Sequence, residues 1–287
     1  MDLEHIIDEA IREDTGDGDH TSLAIFPADF KGRAHLKIKD EGILAGMNVA
    51  RKIFHRIDPE LKFVEFLQDG AKVRYDDIAF EIKGNILSIL SAERIVLNFM
   101  QRMSGIATET NKIVSLLEGL HTKILDTRKT TPTLRELEKY AVRLGGGYNH
   151  RMGLYDMIMI KDNHIDFSGG VVHAVESVHA YMKKTGKNLK IVIEVRNFDE
   201  LADVLDHGMI DRIMLDNFTP GDLRDAVTLI SGQYETEASG GITASNVREY
   251  AETGVDFISI GAITHKFRSL DMSLKAGKPT IWELDER

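Results

Sequence analysis

Apolar and polar positions follow two different rhythms along the first part of the chain. In residues 3–14, and again from Ser91 to Leu117, apolar side chains recur every three or four positions, which predicts amphipathic helices. Between Gly32 and Ile89 the apolar runs are short and are separated by turn signals. This pattern predicts a small, mostly antiparallel α+β domain, with one helix near 49–57 and with 85–90 as its last β-like piece.

From residue 122 onward, apolar runs alternate with helix patterns. The runs are KILD, MIMIK, KIVIEV, RIMLD, YETEASG and FISIG, and the last four end at Glu194, Asp216, Ser239 and Gly261, about 22 residues apart. One short βα unit per run predicts parallel strands. Six such units in a row favour a closed or nearly closed α/β barrel over an open doubly wound sheet.

The long predicted helix carries Gly105 inside its apolar stripe. A glycine in the middle of a helix costs about 1 kcal/mol relative to alanine, so Gly105 predicts a close approach by another backbone or by a ligand. Arg102 lies one position off the stripe and is expected to emerge beside that gap. The polar, glycine-bearing stretch 15–22 is predicted to be a loop.

These patterns predict two domains. Residues 1–112 form the N-terminal α+β domain, and residues 113–267 form the barrel domain. The C-terminal stretch 268–287 is short, mixed in character and proline-bearing, and it is expected to return and pack on the N-terminal domain.

Charged and small residues follow the predicted barrel strands. Because ligands bind at the carboxyl ends of strands in α/β folds, the residues there should surround one mouth. The first strands are followed by cations, which are Arg128, Lys129, His150, Arg151 and Lys161. The next two end in carboxylates suited to Mg²⁺ or sugar hydroxyls, Glu194 and Asp216. The last two end in glycine-rich loops suited to phosphate, Ser239-Gly240-Gly241 and Gly261-Ala262.

Structural interpretations compete with these functional ones. Glycine pairs after strands are often only turns. Glu194 and Asp216 are also compatible with helix caps or with ion pairs to Arg212 or Arg196. We interpret His164 and His265 as structural residues, and the methionines in the apolar stripes as core packing. Converging cations are harder to explain as solvated surface, so the sequence predicts a ligand with carboxylates, a sugar and a phosphate.

Composition narrows the class of partner. The chain has 287 residues, 43% hydrophobic and 29% charged, with a net charge of −10 and no cysteine. These values are normal for a globular protein, exclude disulfides and thiolate sites, and argue against a general binder of nucleic acid or membrane surfaces. The acidic N-terminus is unlike a signal peptide, and no run is long enough to span a membrane. We therefore expect a cytoplasmic protein.

The motifs resemble those of the quinolinate phosphoribosyltransferase family, also called carboxylating nicotinate-nucleotide pyrophosphorylases. The resemblance covers nearly the whole chain. Its most specific part is DTRKTTPTLRELEKYAVRLGGGYNHRMGLYDMIMIKDNH, and it extends over EDTGDGDHTS, EGILAGM, ERIVLNFMQRMSGIAT, IEV, MLDNF, EASGGI and GVDFISIGAITH. The chain departs from the family pattern at Val192, where relatives often carry a glutamate, and at Lys266, where they carry a serine.

The resemblance implies a fold and a reaction. The fold is an N-terminal α/β sandwich followed by an incomplete parallel α/β barrel, as in type II phosphoribosyltransferases. The reaction transfers phosphoribosyl from phosphoribosyl pyrophosphate (PRPP) to the nitrogen of quinolinate with decarboxylation. It gives nicotinate mononucleotide, pyrophosphate and CO₂ in de novo NAD biosynthesis. The enzyme would be a homodimer with shared active sites and would use Mg²⁺ carried by PRPP.

The resemblance also implies residue roles. Lys129, Lys161, Glu194 and Asp216 would be the catalytic residues. The substrate-binding set adds Arg102, which would reach the partner subunit's site, together with Thr127, Arg128, His150, Arg151, Ser239, Gly240, Gly241, Gly261 and Ala262. Within this set, the cations would surround quinolinate, Glu194 and Asp216 would face the ribose and Mg²⁺, and the last five would hold the 5′-phosphate.

Three other functions stay open from the sequence. A phosphoribosyltransferase of the same fold could accept nicotinate, although the number of cations favours a dicarboxylate. A barrel isomerase or aldolase would need a base or a Schiff-base lysine, for which Lys161 is the candidate. A non-catalytic ligand-binding relative is disfavoured because every matched family cation is present.

Overall fold

The chain divides into two compact units in a computed structural model that describes residues 3–277. The first unit comprises the described parts of Met1–Glu109 and Phe267–Arg287 together with Pro132–Gly145, and the second comprises Thr110–Thr131 and Gly146–Lys266. The sequence-based division, 1–112 and 113–267, differs by a few residues at its boundaries and in one longer segment, since Pro132–Gly145 groups with the first unit. Side chains of this segment explain the difference, because Tyr140 donates to Asp69 (3.0 Å) and Glu138 accepts from Arg102.

Both units contain helices and strands. The helices are α1 Leu3–Thr15, α2 His20–Ile25, α3 Met47–Ile57, α4 Ile86–Ser115, α5 Arg135–Leu144, α6 Asp162–Ser168, α7 Val171–Thr185, α8 Phe198–His207, α9 Pro220–Ile230, α10 Val247–Ala251 and α11 Ala262–His265. The strands are β1 Lys31–Ile38, β2 Gly42–Ile43, β3 Lys62–Glu65, β4 Lys72–Val73, β5 Ile78–Asn85, β6 Lys123–Leu125, β7 Ile158–Ile160, β8 Ile191–Val195, β9 Arg212–Asp216, β10 Glu235–Ser239, β11 Phe257–Ser259 and β12 Met272–Ala276. No helix within residues 3–277 is both long and apolar enough to cross a bilayer.

The first unit contains a four-stranded antiparallel sheet in the order β12-β1-β5-β3. Alternate side chains of β1 are buried, as a strand with one face on the core requires. Three aromatic rings of this core, Phe54, Phe63 and Phe80, lie 4.5–6.0 Å apart. Strand β12 pairs with β1, so residues 272–276 belong to this sheet; residues 278–287, for which we also expected packing here, lie outside the described residues.

Two predicted elements of the first unit are wrong, and side-chain capping explains both. The stretch 85–90 is not a separate strand, because Asn85 ends β5 and α4 begins at Ile86. Asn85 Oδ1 accepts the backbone N–H groups of Leu87 (2.8 Å) and Ser88 (3.4 Å), which are among the unpaired donors at a helix start. The predicted loop 15–22 likewise contains the start of α2, where Asp19 accepts two backbone N–H groups at 3.2 Å.

The second unit contains the predicted barrel strands, all parallel, in the order β6-β11-β10-β9-β8-β7. Tyr148 forms an isolated parallel bridge with Leu125 at the outer edge of β6. The other outer strand, β7, has no pairing with β6 among residues 3–277, so the barrel is incomplete. The prediction of an α/β protein with an N-terminal sheet domain and an incomplete barrel is confirmed.

Gly105 lies where the structure needs the absence of a side chain. A Cβ added there would lie 2.4 Å from the carbonyl oxygen of Arg268 and 2.9 Å from Cα of Ser269. Another segment of backbone therefore approaches the helix at this point, as the mid-helix glycine predicts.

We expect Gly105→Ala to lower the free energy of unfolding by about 1–3 kcal/mol. Overpacking against a backbone costs more than the roughly 1 kcal/mol that alanine gains in helix propensity. Gly221→Ala in α9 is the matched control, because the nearest atom to its added Cβ is Thr219 Oγ1 at 3.7 Å. Denaturant unfolding of both variants measures the difference, and equal stabilities would contradict the proposed crowding at Gly105.

Candidate active site

A cavity of about 830 Å³ opens at the carboxyl ends of the barrel strands in the second unit. Its wall brings together nearly all the site residues named from the sequence, which are Thr127, Arg128, Lys129, His150, Arg151, Lys161, Glu194, Asp216, Ser239, Gly240, Gly241, Gly261 and Ala262. Arg102 belongs to the first unit, where its Nε donates to Glu138 (3.0 Å) and its guanidinium lies 4.9 Å from the centre of the Phe267 ring.

The buried carboxylate of Asp126 joins two of the sequence motifs. Asp126 follows β6, and its Oδ1 accepts the backbone N–H of His150 (2.9 Å) while its Oδ2 accepts from the Asn149 side chain (2.5 Å). A buried carboxylate is stable only when its oxygens are hydrogen-bonded. Asp126 therefore connects the segment carrying Arg128 and Lys129 to the segment carrying His150 and Arg151.

Lys129 is held from two sides at the cavity edge. The hydroxyl of Thr264 donates to the Lys129 carbonyl oxygen (2.9 Å), and the Lys129 N–H donates to Thr127 Oγ1 (3.0 Å). The Lys129 side chain also passes Gly261 so closely that an added Cβ would lie 2.9 Å from Lys129 Cδ. Glycine at 261 thus makes room for the lysine as well as for any ligand.

Arg151 is a buried cation, only 8% exposed. Its backbone N–H donates to His150 Nδ1 (2.7 Å), and its guanidinium donates to the Met157 carbonyl oxygen (3.4 Å). Burial and the nearby positive charge of Arg128 lower the pKa of Arg151, although Asp156 partly opposes them. Two neighbouring guanidinium groups with little water around one of them create a strong demand for an anion.

Lys161 and Glu194 form an ion pair in the same cavity wall. The Lys161 backbone N–H donates to His164 Nδ1 (2.9 Å), so His164 supports the start of α6, in keeping with the structural role expected for it. Glu194 is only 6% exposed, and the paired ammonium compensates its burial.

The competing ion pairs considered from the sequence are not the ones that form. Arg196 pairs with Asp166 (2.8 Å) and Glu200 (2.5 Å), and Arg212 pairs with Glu235 (2.8 Å) and Glu237 (3.0 Å). Within residues 3–277, neither arginine is paired with Glu194 or Asp216. Both carboxylates therefore remain part of the cavity wall.

Steric crowding explains why glycine occupies position 240 in the loop after β10. Gly240 has a φ of +96°, and an added Cβ would lie 2.2 Å from Asn217 Oδ1 and 2.9 Å from the Asn217 backbone nitrogen. Asn217 itself has a left-handed φ of +57° and donates its side-chain N–H to Asp216 (2.5 Å). The helix that follows this loop, α10, is short and covers Val247–Ala251.

Sequence reasoning missed Glu237, which is fully buried on β10 below the cavity. Glu237 lies 3.4 Å from His150 Nε2, 3.0 Å from the Arg212 guanidinium and in hydrogen-bonding contact with the Ser259 hydroxyl. Burial raises the pKa of Glu237, but these three partners more than offset it and hold the pKa below its ordinary value. The sequence does carry a signal for Glu237. It lies two residues before Ser239, at an inward-facing strand position where most proteins have an apolar side chain.

The carboxylates of the wall suit a metal that arrives with a ligand better than a resident one. Residues 3–277 contain no group of three or more histidine or acidic side chains arranged to hold a metal ion. Glu194 and Asp216 supply hard oxygen atoms of the kind Mg²⁺ prefers, and Mg²⁺ commonly takes one or two carboxylates plus phosphate oxygens. The residues therefore fit Mg²⁺ bound together with a phosphate-bearing substrate.

Comparison with known proteins identifies first the class of protein to which the chain belongs and then its family. Models of the two quinolinate phosphoribosyl transferase domains match the chain, the N-terminal domain over residues 19–104 and the C-terminal domain over 106–275. The chain therefore combines the two domains of a phosphoribosyltransferase. It belongs to the quinolinate phosphoribosyl transferase family.

Curated relatives and solved structures agree with this assignment. The chain is 43% identical to tobacco (Nicotiana tabacum) quinolinate phosphoribosyltransferase [decarboxylating] 2b, over 100% of this chain and 85% of the relative. It is 41% identical to the probable nicotinate-nucleotide pyrophosphorylase [carboxylating] of Bacillus subtilis, over 96% and 93%. The crystal structure of NadC from Streptococcus pyogenes superimposes with a TM-score of 0.91 at 37% identity, covering 96% of this chain and 97% of that one.

Proposed function

We infer that this chain transfers phosphoribosyl from PRPP to the nitrogen of quinolinate with loss of CO₂, giving nicotinate mononucleotide and pyrophosphate for NAD synthesis. The observation that carries this inference is the composition of one cavity wall. Five permanent cations (Arg128, Lys129, Arg151, Lys161 and Lys266), two carboxylates and two glycine-rich strand ends line it together, in a protein whose net charge is −10. Such a local positive field concentrates small, highly charged substrates.

The cationic side of the cavity suits the two carboxylates of quinolinate. Arg128 and Arg151 supply planar guanidinium groups, which bind carboxylates through paired hydrogen bonds, and Lys129 and Lys161 add point charges. The mutual repulsion of Arg128 and Arg151, which helps to lower the Arg151 pKa, is relieved when a dianion binds between them. Binding should therefore be more favourable for a dicarboxylate than for a monocarboxylate.

The remaining wall suits PRPP. Glu194 and Asp216 would bind the ribose hydroxyls, while the loops at Ser239-Gly240-Gly241 and Gly261-Ala262 would bind the 5′-phosphate through backbone N–H groups. Mg²⁺ would be held by the same two carboxylates together with PRPP. When bound, it neutralises negative charge on the pyrophosphate.

The residues act mainly by positioning and by charge. The C1–O bond to pyrophosphate breaks, and the pyridine nitrogen forms the new bond to the oxocarbenium-like C1, near which carboxylates stabilise positive charge. The ring becomes a pyridinium, so the C–C bond to the adjacent carboxylate can break with its electron pair staying on the ring carbon. CO₂ leaves and that carbon takes a proton. No step uses a protein nucleophile, so most of the rate comes from alignment of the two substrates.

We also propose that the enzyme acts as a homodimer in which Arg102 completes the partner subunit's site. The support is the resemblance to the family together with the way Arg102 is held. Its Nε and Nη2 both donate to Glu138, which is buried, and its guanidinium stacks on Phe267. A side chain fixed in this way loses little conformational entropy when it binds an anion.

A turnover assay with PRPP and Mg²⁺ tests the reaction. With carboxyl-labelled quinolinate we expect labelled CO₂ and nicotinate mononucleotide in equal amounts, and with nicotinate we expect no product. If only nicotinate gave product, phosphoribosyl transfer would be confirmed, but quinolinate as the substrate would be wrong. Absence of turnover with both substrates, in folded protein, would support a binding protein.

Removing either guanidinium should abolish most of the activity without unfolding the chain. We expect Arg128→Ala and Arg151→Ala each to reduce kcat/KM by about a hundredfold or more, since each loses a charged contact to the substrate carboxylates. Arg224→Ala, an exposed arginine on α9, is the control and should keep wild-type kinetics. Steady-state kinetics measures kcat/KM, and circular dichroism shows whether each variant is folded. A near-normal kcat/KM in a folded variant would show that this arginine is not part of the site.

Mixed dimers test whether the site is shared. Arg102→Ala and Lys161→Ala should each be inactive alone, whereas subunits mixed in equal amounts should recover about a quarter of wild-type activity. Half of the randomly formed dimers are mixed, and each mixed dimer holds one intact site. Differently tagged subunits show that mixed dimers form, and mixed dimers without activity would contradict a shared site.

A further inference from the structure

A column of alternating charges runs along the barrel interior and ends at the cavity. Glu235 binds Arg212 (2.8 Å), Arg212 binds Glu237 (3.0 Å), and Glu237 lies 3.4 Å from Nε2 of His150. The register of β9 and β10 places these residues together, since Glu235 is opposite Arg212 and Glu237 is opposite Met214. Only His150 of this column lines the cavity.

The partner of Nε2 determines where the imidazole carries its hydrogen. Glu237 is fully buried and accepts from the Arg212 guanidinium (3.0 Å) and from the Ser259 hydroxyl, so an ionised carboxylate, which accepts hydrogen bonds and cannot donate them, suits this position. Arg212 is shared with Glu235, so the buried carboxylate gains from a further donor. Nε2 of His150 must therefore carry a hydrogen atom toward Glu237.

The second ring nitrogen has the opposite partner. The backbone N–H of Arg151 donates to Nδ1 of His150 at 2.7 Å, so Nδ1 must offer a lone pair. Taken together, the two contacts select the neutral tautomer with hydrogen on Nε2 only. Nδ1 is hydrogen-bonded to the backbone, while Nε2 is buried and faces Glu237 at 3.4 Å, where residues 3–277 form no closer hydrogen bond.

We propose that Glu237 is a positioning residue for substrate binding, acting through His150 on Arg151. Glu237 holds the imidazole, and the imidazole holds the Arg151 backbone, so that the guanidinium stays directed at the quinolinate carboxylates despite the repulsion from Arg128. This inference rests on the proposed function. It also revises the expected role of His150, which becomes a neutral support rather than a cation that binds substrate.

The tautomer can be measured without any turnover. In wild-type protein labelled with ¹⁵N-histidine, we expect long-range ¹⁵N–¹H spectra at neutral pH to show His150 with a protonated Nε2 and an unprotonated Nδ1. The signals are assigned by their loss in His150→Gln. A protonated Nδ1, or a doubly protonated ring, would overturn the inference even if the enzyme turns over quinolinate as proposed.

Variants at Glu237 distinguish a role in positioning His150 from a role in packing alone. Glu237→Gln keeps the shape and one acceptor oxygen for both Arg212 and His150, while its amide can donate to the Ser259 hydroxyl. Glu237→Met keeps a similar volume but offers no comparable acceptor. We expect Glu237→Met to raise the KM for quinolinate about tenfold while the KM for PRPP stays within about twofold, and we expect Glu237→Gln to restore most of the loss.

Glu235→Met is the matched control, because Glu235 shares the strand and the Arg212 partner but does not contact His150. It should leave both KM values unchanged. Equal rises in both KM values for Glu237→Met, or the same quinolinate effect in Glu235→Met, would reduce Glu237 to a structural residue. Absence of turnover in the wild-type enzyme would instead reject the proposed function, and it would leave the tautomer measurement as an independent result.

Discussion

The parallel register of the barrel strands is the constraint on which the site depends. Parallel strands bring their carboxyl ends to one edge, so residues that are far apart in sequence meet there. In the register of β9 and β10, Asp216 lies opposite Ser239, and both line the same cavity. Antiparallel pairing of the same strands would have sent alternate strand ends to opposite edges of the sheet. The segments between strands then supply the cations, for which Asp126 provides a common anchor.

Charge compensation explains how a negative protein maintains a positive cavity. The cations of the wall are balanced locally and incompletely, since Lys161 has Glu194 while Arg128 and Arg151 oppose each other. Beneath them, Glu237 and Arg212 neutralise one another away from water. Buried charges of this kind contribute little net stability, but they restrict the geometry of the groups they contact. The excess positive charge is thereby left where two anionic substrates must meet.

Most strands and their contribution to the site could be predicted from sequence, because short apolar runs that end in polar residues have few other interpretations. The alternation of runs and helix patterns after residue 122 indicated the barrel, and the strand-end residues indicated the cavity. The errors occurred where a side chain outweighed local pattern. Asn85 starts α4 within an apolar run, and Asp19 starts α2 within a polar loop. The sequence does not show that the segment 132–145 contacts the first unit, because its partners, such as Asp69 for Tyr140, are distant in sequence.

The sequence by itself determined which chemical groups the protein brings to its site and the order in which strands present them. Residue types, apolar periodicity and glycine positions are local properties, so they can be read from the chain directly. Only the tertiary structure decided how those groups pair. It tied Glu194 to Lys161 rather than to Arg196 or Arg212, brought Gly240 against Asn217, and placed Glu237 under His150. These pairings depend on distances between separate strands, and distances of that kind arise only once the strands have paired and packed on their core.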